Sequence, residues 1–233
     1  MLNLILAESA FETIPEKLWK NPSIQKYAKL RRKHPRFLML DRSYHHRAMK
    51  FLEQNEKRGR PDIVHFALLE ALGSPLNKEG LLQVYVHTFN DYVIEVNPET
   101  RLPRNYERFV SLIEQLYEHG RVPPQQRQTA LLTLEQKTLK QLIGEVKPSY
   151  VLALTRTGKS QTLEEAISQL SNEKRPLLIV GGFPHGHFSE TTLKLVNETV
   201  CIDPDMLETW TVTSRAIYEY ERALSISKKR LKQ

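Results

Sequence analysis

The sequence predicts an α/β fold built on a parallel sheet with helices on both faces. Three observations carry this. The C-terminal half alternates short apolar runs with helical stretches, the order that parallel sheets with crossover helices require. Leu2–Ala7, apolar but for Asn3, and Leu177–Val180 are apolar runs rather than alternating ones, as strands buried on both faces are. Hydrophobic residues make up 40% of the 233, and charged residues 26%, enough to bury a sizeable core.

Taken in order, Leu2–Ala7 opens as a β-strand; it is short, with no basic residue before it, unlike a signal peptide. Ser23–Arg32 is helix-prone and runs into the basic triplet Arg31-Arg32-Lys33. Phe37–Leu40 reads as a short buried strand and His45–Glu56 as a polar helix. Pro61 stands where a first helical turn accepts it, and Ile63, Phe66, Ala67 and Leu69 form a stripe that Gly73-Ser74-Pro75 ends. Leu82–His87 and Tyr92–Val96 flank Phe89-Asn90-Asp91 as a hairpin. Asn105–Glu118 is amphipathic, with Phe109, Val110, Ile113, Leu116 and Tyr117 on its apolar face, and Pro123-Pro124 forbids continuation beyond Gly120. Helix Glu135–Ile143, strand Tyr150–Leu154, helix Leu163–Leu170, strands Leu177–Val180 and Val200–Ile202, and a helix from Glu208 to about Ser227 complete the pattern. The basic tail Lys228–Lys232 reads as a frayed, solvated end.

Lys and Arg outnumber Asp and Glu by 34 to 27, a formal charge of +7. That surplus suits a polyanionic partner, because neutralised phosphates release counterions, although many basic proteins bind no nucleic acid. No apolar run approaches the ~20 residues that span a bilayer. The single cysteine, Cys201, excludes a disulfide framework and a cysteine-rich zinc site, agrees with a cytoplasmic location, and reads as a small core residue. His45, His46, His65, His185 and His187 lack the spacing and carboxylate of a helical zinc motif, so no metal is expected.

Four short motifs carry chemistry. Leu177–Phe188 passes from a buried strand into a loop holding Gly181, Gly182 and Gly186. Ligands bind beyond the carboxyl ends of parallel strands, where glycine lets amides approach them; a plain tight turn explains the pattern equally well. Thr157-Gly158-Lys159-Ser160 resembles the end of a phosphate-binding loop, but the glycine required five residues before Gly158 is Ala153. Arg101, Arg104 and Arg108 crowd the entry of the amphipathic helix, either as guanidinium forks for phosphate or as a solvated face. In Arg60-Pro61-Asp62 the carboxylate either caps free amides at the helix start or holds Arg60 in an ion pair.

Arg60–His65, Ser74–Thr88, the arginine cluster and Val180–Gly186, in that order, resemble the ribosome-biogenesis pseudouridine-N1 methyltransferases of the SPOUT superfamily. The resemblance spans nearly the whole chain and looks like the compact archaeal form. It implies a single SPOUT domain over 1–233, a parallel sheet flanked by helices with a C-terminal trefoil knot. An RNA-binding extension would lie roughly within 41–121 and the knot roughly within 149–227. It further implies a homodimer, S-adenosyl-L-methionine as cofactor and small-subunit (16S-type) rRNA as partner, with no membrane and no metal. The cofactor loops fall on Leu154-Thr155, the turn from Gly181 to Gly186, and Ile202-Asp203-Pro204-Asp205-Met206-Leu207. The last departs from the serine-asparagine-tyrosine-proline-like sequence of relatives.

By the same matching, Arg60 touches RNA beside the target nucleotide and Asp62 orients it, the two forming the catalytic pair. Arg101, Arg104 and Arg108 grip the RNA backbone. The implied reaction is N1-methylation of a pseudouridine during small-subunit biogenesis, with Asp62 an orienter or, alternatively, a general base. Two other readings stay open: an RNA-binding assembly factor whose methyl transfer is secondary or lost, and a SPOUT enzyme acting on another RNA.

Overall fold

Every residue from Leu2 to Ser9 is buried, and this strand, β1 (Leu2–Ser9), runs through the middle of the sheet. The computed structural model describes residues 1–125 and 129–232. After β1 come α1 (Pro22–Arg31), α2 (Arg42–Met49), α3 (Pro61–Gly73), α4 (Pro75–Lys78), β2 (Leu82–Thr88), β3 (Tyr92–Val96), α5 (Tyr106–His119), β4 (Arg121–Val122) and β5 (Leu132–Gln136). The C-terminal half holds α6 (Leu139–Val146), β6 (Tyr150–Ser160), α7 (Leu163–Ser171), β7 (Pro176–Gly181), α8 (Glu190–Leu193), β8 (Glu198–Cys201), α9 (Thr209–Ala223) and α10 (Ile226–Arg230).

Among the described residues these strands form one sheet in the order β4-β5-β3-β2-β1-β7-β6-β8. β2, β1, β7, β6 and β8 pair in parallel, as the alternating pattern requires. β3, β5 and β4 extend the β2 edge in antiparallel pairs. The connection through Phe89-Asn90-Asp91 is too short for a crossover, so β3 must return antiparallel.

The period-2 alternation of β1 splits its side chains between two cores. Leu2, Leu4 and Leu6 pack with Val64 and Leu68 of α3, Phe109 and Ile113 of α5, Ile167 of α7 and Ile217 of α9. Ile5 and Ala7 face Leu139 and Leu142 of α6 together with Phe188. A satellite core under α1 and α2 gathers Ile24, Ala28, Leu38, Leu40, Ala48 and Met49.

Four sequence expectations are corrected. Residues 135–143 are not one helix: Leu132–Gln136 is β5, and α6 starts at Leu139 behind a capping box made by Thr138 and Gln141. Phe37–Leu40 is not a strand. A 3₁₀ turn over Pro35–Phe37 is followed by backbone bonds from Ile14 N to Leu38 O and Leu40 N to Glu12 O, with only an isolated bridge between Thr13 and Met39. The helix expected over His45–Glu56 begins earlier, at Arg42 behind the Asp41 cap, and ends at Met49; Gln54, at φ 48°, separates it from a 3₁₀ turn over Asn55–Lys57. The last helix breaks at Ser225 (φ 55°) and resumes as α10; residues 228–232 are all exposed, the solvated end expected, with Arg230 pairing with Glu79.

Gly158 lies within β6, and its role there is steric. A Cβ at Gly158 would come within 2.5 Å of Val200 N, so only glycine lets this part of β6 run against β8. Cys201 is half-buried at the end of β8, with its Sγ 3.2 Å from Asp203 O, rather than in the core.

Candidate active site

β6 pairs with β7 only as far as Leu154 and then continues along β8 after a register shift at Leu154/Lys159. The loops around the ends of these three strands line an open cleft. Leu154, Thr155, Gly181, Gly186, Ile202, Asp203, Asp205, Met206 and Leu207 line it. Pro204 is exposed and does not. Phe183, Phe188, Val180 and Val212 supply apolar wall, and Glu208 stands on the rim. The Thr209 hydroxyl donates to Gly181 O at 2.7 Å, tying the start of α9 to the glycine turn. Gly182 is held by packing, since a Cβ there would fall 2.0 Å from Ser9 Oγ.

Behind this turn lies a buried polar cluster centred on Glu8. The β1–β2 register shifts between Leu6 and Ser9, and Glu8 takes φ 50°, a left-handed conformation that a non-glycine residue holds only under constraint. Its amide donates to His87 Nδ1 (3.3 Å), and its carboxylate accepts from Ser189 N (2.8 Å), Ser189 Oγ (2.7 Å) and Lys57 Nζ (2.9 Å). Burial alone would raise the Glu8 pKa, but the Ser189 and Lys57 bonds outweigh it and hold the carboxyl below its ordinary range.

Lys57 also donates to His187 O and lies 4.5 Å over the Phe183 ring, both on the cleft wall. The segment after it is pinned residue by residue. Arg58 forms a bidentate pair with Glu12 at 2.6 and 2.7 Å, Gly59 O accepts from Arg42 N, and Arg60 N donates to Ala10 O.

Arg60 ends this strap as the N-cap residue of α3, with Pro61 at the first helical position. Asp62 does not cap the helix; its carboxylate takes Arg60 Nε and Nη2, each at 2.8 Å. That bond is the main reason the Arg60 pKa rises above its ordinary value, with Glu208 of the cleft rim adding its field. Arg60 remains about one-third exposed.

The α5 arginines are brought towards the same end of α3. His65 on α3 bonds Pro103 O at 2.7 Å through Nε2 and stacks on Phe109 at 4.0 Å. Tyr106 donates to Asp41 Oδ2. Arg101, Arg104 and Arg108 are exposed, and among the described residues none of them makes an ion pair with a carboxylate. The described residues contain no group of three His, Cys, Asp or Glu side chains placed to hold a metal. No helix among them is long and apolar enough to cross a membrane.

Glu8, Lys57, Ser189, Glu208 and Thr209 were not singled out from the sequence. No local pattern marks them, since their partners are 49 to 181 residues away or, for Thr209, across a strand end. Glu8 did carry one weak signal, a charge closing an otherwise apolar strand.

A cleft with apolar walls at the carboxyl ends of parallel strands, beside a paired arginine, is the arrangement of an α/β enzyme that takes a small ligand. The chain belongs to the EMG1/NEP1 methyltransferase family, whose model matches residues 4–221. It is 45% identical over 221 residues to the ribosomal RNA small subunit methyltransferase Nep1 of Thermococcus onnurineus, covering 95% of this chain and 98% of that one. The Pyrococcus furiosus protein of the same name is 46% identical over 220 residues, with 94% and 96% covered. The crystal structure of Archaeoglobus fulgidus Nep1 bound to S-adenosylhomocysteine superposes with a TM-score of 0.84 at 38% identity, covering 96% of this chain and 98% of that chain.

Proposed function

We propose that this protein methylates N1 of a pseudouridine in small-subunit rRNA, using S-adenosylmethionine, during assembly of the small ribosomal subunit. The observation that carries the reading is the convergence of three separate loops on one cleft, in a chain whose full-length relatives are rRNA methyltransferases. The cleft fits the cofactor: its walls are mostly apolar, with glycine backbone at Gly181 and Gly186 where a ligand can approach closely. When bound, S-adenosylmethionine supplies an electrophilic sulfonium methyl. Leu154, Val180, Ile202 and Leu207 would hold the apolar part of such a ligand, while Asp203 and Asp205 give the cleft polar groups.

Pseudouridine is joined to its sugar through carbon, so its N1 carries a proton and faces outward. On losing that proton to solvent water the nitrogen becomes the nucleophile, and negative charge spreads over the ring. Arg60 stabilises that charge, and Asp62 fixes the guanidinium in place. With both its oxygens committed to Arg60, Asp62 is an orienter rather than a base. Arg101, Arg104 and Arg108 hold the RNA backbone, and the base leaves its stack to enter the cleft, which favours a loop over a duplex.

The same reading makes residues 41–121 the RNA-facing extension and 149–227 a trefoil-knotted cofactor unit. It makes the working form a cytoplasmic homodimer. The exposed Phe66 and Tyr218 on α3 and α9 support a partner-facing surface there.

The test is incubation with labelled S-adenosylmethionine and two loop RNAs that differ only in carrying pseudouridine or uridine. Methyl transfer to N1 of the pseudouridine RNA alone is expected. Transfer to the uridine RNA, or S-adenosylhomocysteine failing to bind, overturns the reading.

A further inference from the structure

We infer that Lys57 is a positioning residue that couples the cofactor loop to the strap bearing Arg60, so that filling the cleft and binding RNA strengthen one another. This rests on the functional reading above. The Lys57 side chain is buried, and it joins Glu8 on β1 to a loop in the C-terminal half of the chain. Its ammonium meets His187 O and the Phe183 face, both on the cleft wall, and also Glu8, which in turn holds Ser189 at the loop's far end. Its stem fills the space beside Gly186: at φ 94°, a Cβ there would meet Lys57 Cε at 3.0 Å. One side chain therefore reads the position of the loop at three points.

Nothing between Lys57 and Arg60 can absorb a shift. Arg58 is locked to Glu12, Gly59 to Arg42 and the Arg60 amide to Ala10. A packed element with no slack transmits displacement rather than dissipating it. Ordering of the loop around a ligand thus steadies Arg60, and RNA held on Arg60 steadies the loop, which by linkage must be reciprocal.

The test uses the full chain and S-adenosylhomocysteine, which permits no turnover. Its affinity is measured by calorimetry with and without a saturating hairpin RNA carrying a loop pseudouridine. In the wild type RNA is expected to tighten binding by at least about fivefold, the lower end of ordinary coupling. The double variant Lys57→Met/Glu8→Gln keeps the stem beside Gly186 and leaves no lone buried charge; its ratio is expected to fall to about one. Lys57→Gln/Glu8→Gln, which keeps a polar pair, serves if the first melts early. A purely structural ion pair would lower the melting temperature and leave the ratio unchanged. A wild-type ratio of one, or a folded double variant keeping the wild-type ratio, overturns the inference alone. A wild type that binds no S-adenosylhomocysteine removes the functional reading and this inference with it.

Discussion

Arg60 Nε lies 2.8 Å from Asp62 Oδ1, and Arg60 Nη2 lies 2.8 Å from Asp62 Oδ2, so a single carboxylate orients the guanidinium from two of its nitrogens. The pair sits at the start of α3, within the field of Glu208 on the cleft rim, with the Arg60 side chain about one-third exposed. A fork held this way points in one direction before any substrate arrives, which is what stabilisation of a developing charge needs.

Replacing Arg60 by Ala is expected to lower methyl transfer by about 10²-fold, the scale of removing one preorganised donor. The affinity for S-adenosylhomocysteine should not change. Arg60→Lys should recover little, because an ammonium cannot be held at two edges. Asp62→Asn should cost about tenfold by loosening the fork. Single-turnover rates with parallel calorimetry would show this; full turnover in Arg60→Ala removes the residue from the mechanism.

Arg104→Ala and Arg108→Ala are expected to weaken RNA binding equally for hairpins of different sequence. Each should reduce the slope of log affinity against log salt by about 0.7 to 0.9, the share of one phosphate contact. A slope identical to the wild type would mean that these guanidinium groups remain in solvent when RNA is bound.

Gly158→Ala is expected to destabilise the fold by about 1–3 kcal/mol or more, the range for overpacking, because the atoms it would strike are the backbone of Thr199 and Val200. Gly144→Ala, in α6 with nothing within 4 Å of the new Cβ, should stabilise by about 0.5–1 kcal/mol. Urea midpoints for the two variants moving the same way would contradict this account of Gly158.

Stability should fall on acidification from pH 6.5 towards pH 4. Burial is the main cause that lowers the His45 pKa from 6.5 to about 4; Nδ1 accepts the Asp41 amide at 3.0 Å and Nε2 has no partner. Between these values the unfolded chain binds a proton that the folded chain refuses, so stability rises with pH and is lost as pH drops. The His45 share is on the order of 3 kcal/mol. Burial lowers His65 and His87 too, and they add to the slope. His45→Gln should flatten part of the curve, and unfolding free energies at pH 4.5 and 7 measure how much.

Much of the fold was legible because its signals are local. Apolar runs, broken in β1 only by Asn3 before Glu8, mark β1 and β7, and the five-residue face of α5 marks that helix from Phe109 to Tyr117. The helix expected over Glu135–Ile143 takes in the last two residues of β5, because Leu132 and Leu134 alternate over too few residues to mark the strand beside the helix formers that follow. The Thr138–Gln141 box was the available boundary signal. Of the two readings open for Asp62, capping or ion pairing, only the folded geometry chooses, since both need a carboxylate at that position.

The sequence by itself determined the parallel core, the family, the glycine turn and the two arginine features. All of these are written in contiguous residues whose spacing and chemistry act over one or two turns of chain. Tertiary structure alone decided that Pro204 stands outside the cleft its neighbours line, and that Gly158 packs against β8. It also decided that Lys57 joins Glu8 and the Gly186 loop. The physical reason is that burial removes competing water, so a charge must find its partner wherever folding places one. Lys57 found Glu8 49 residues away and His187 130 residues away, and no local pattern encodes such distances.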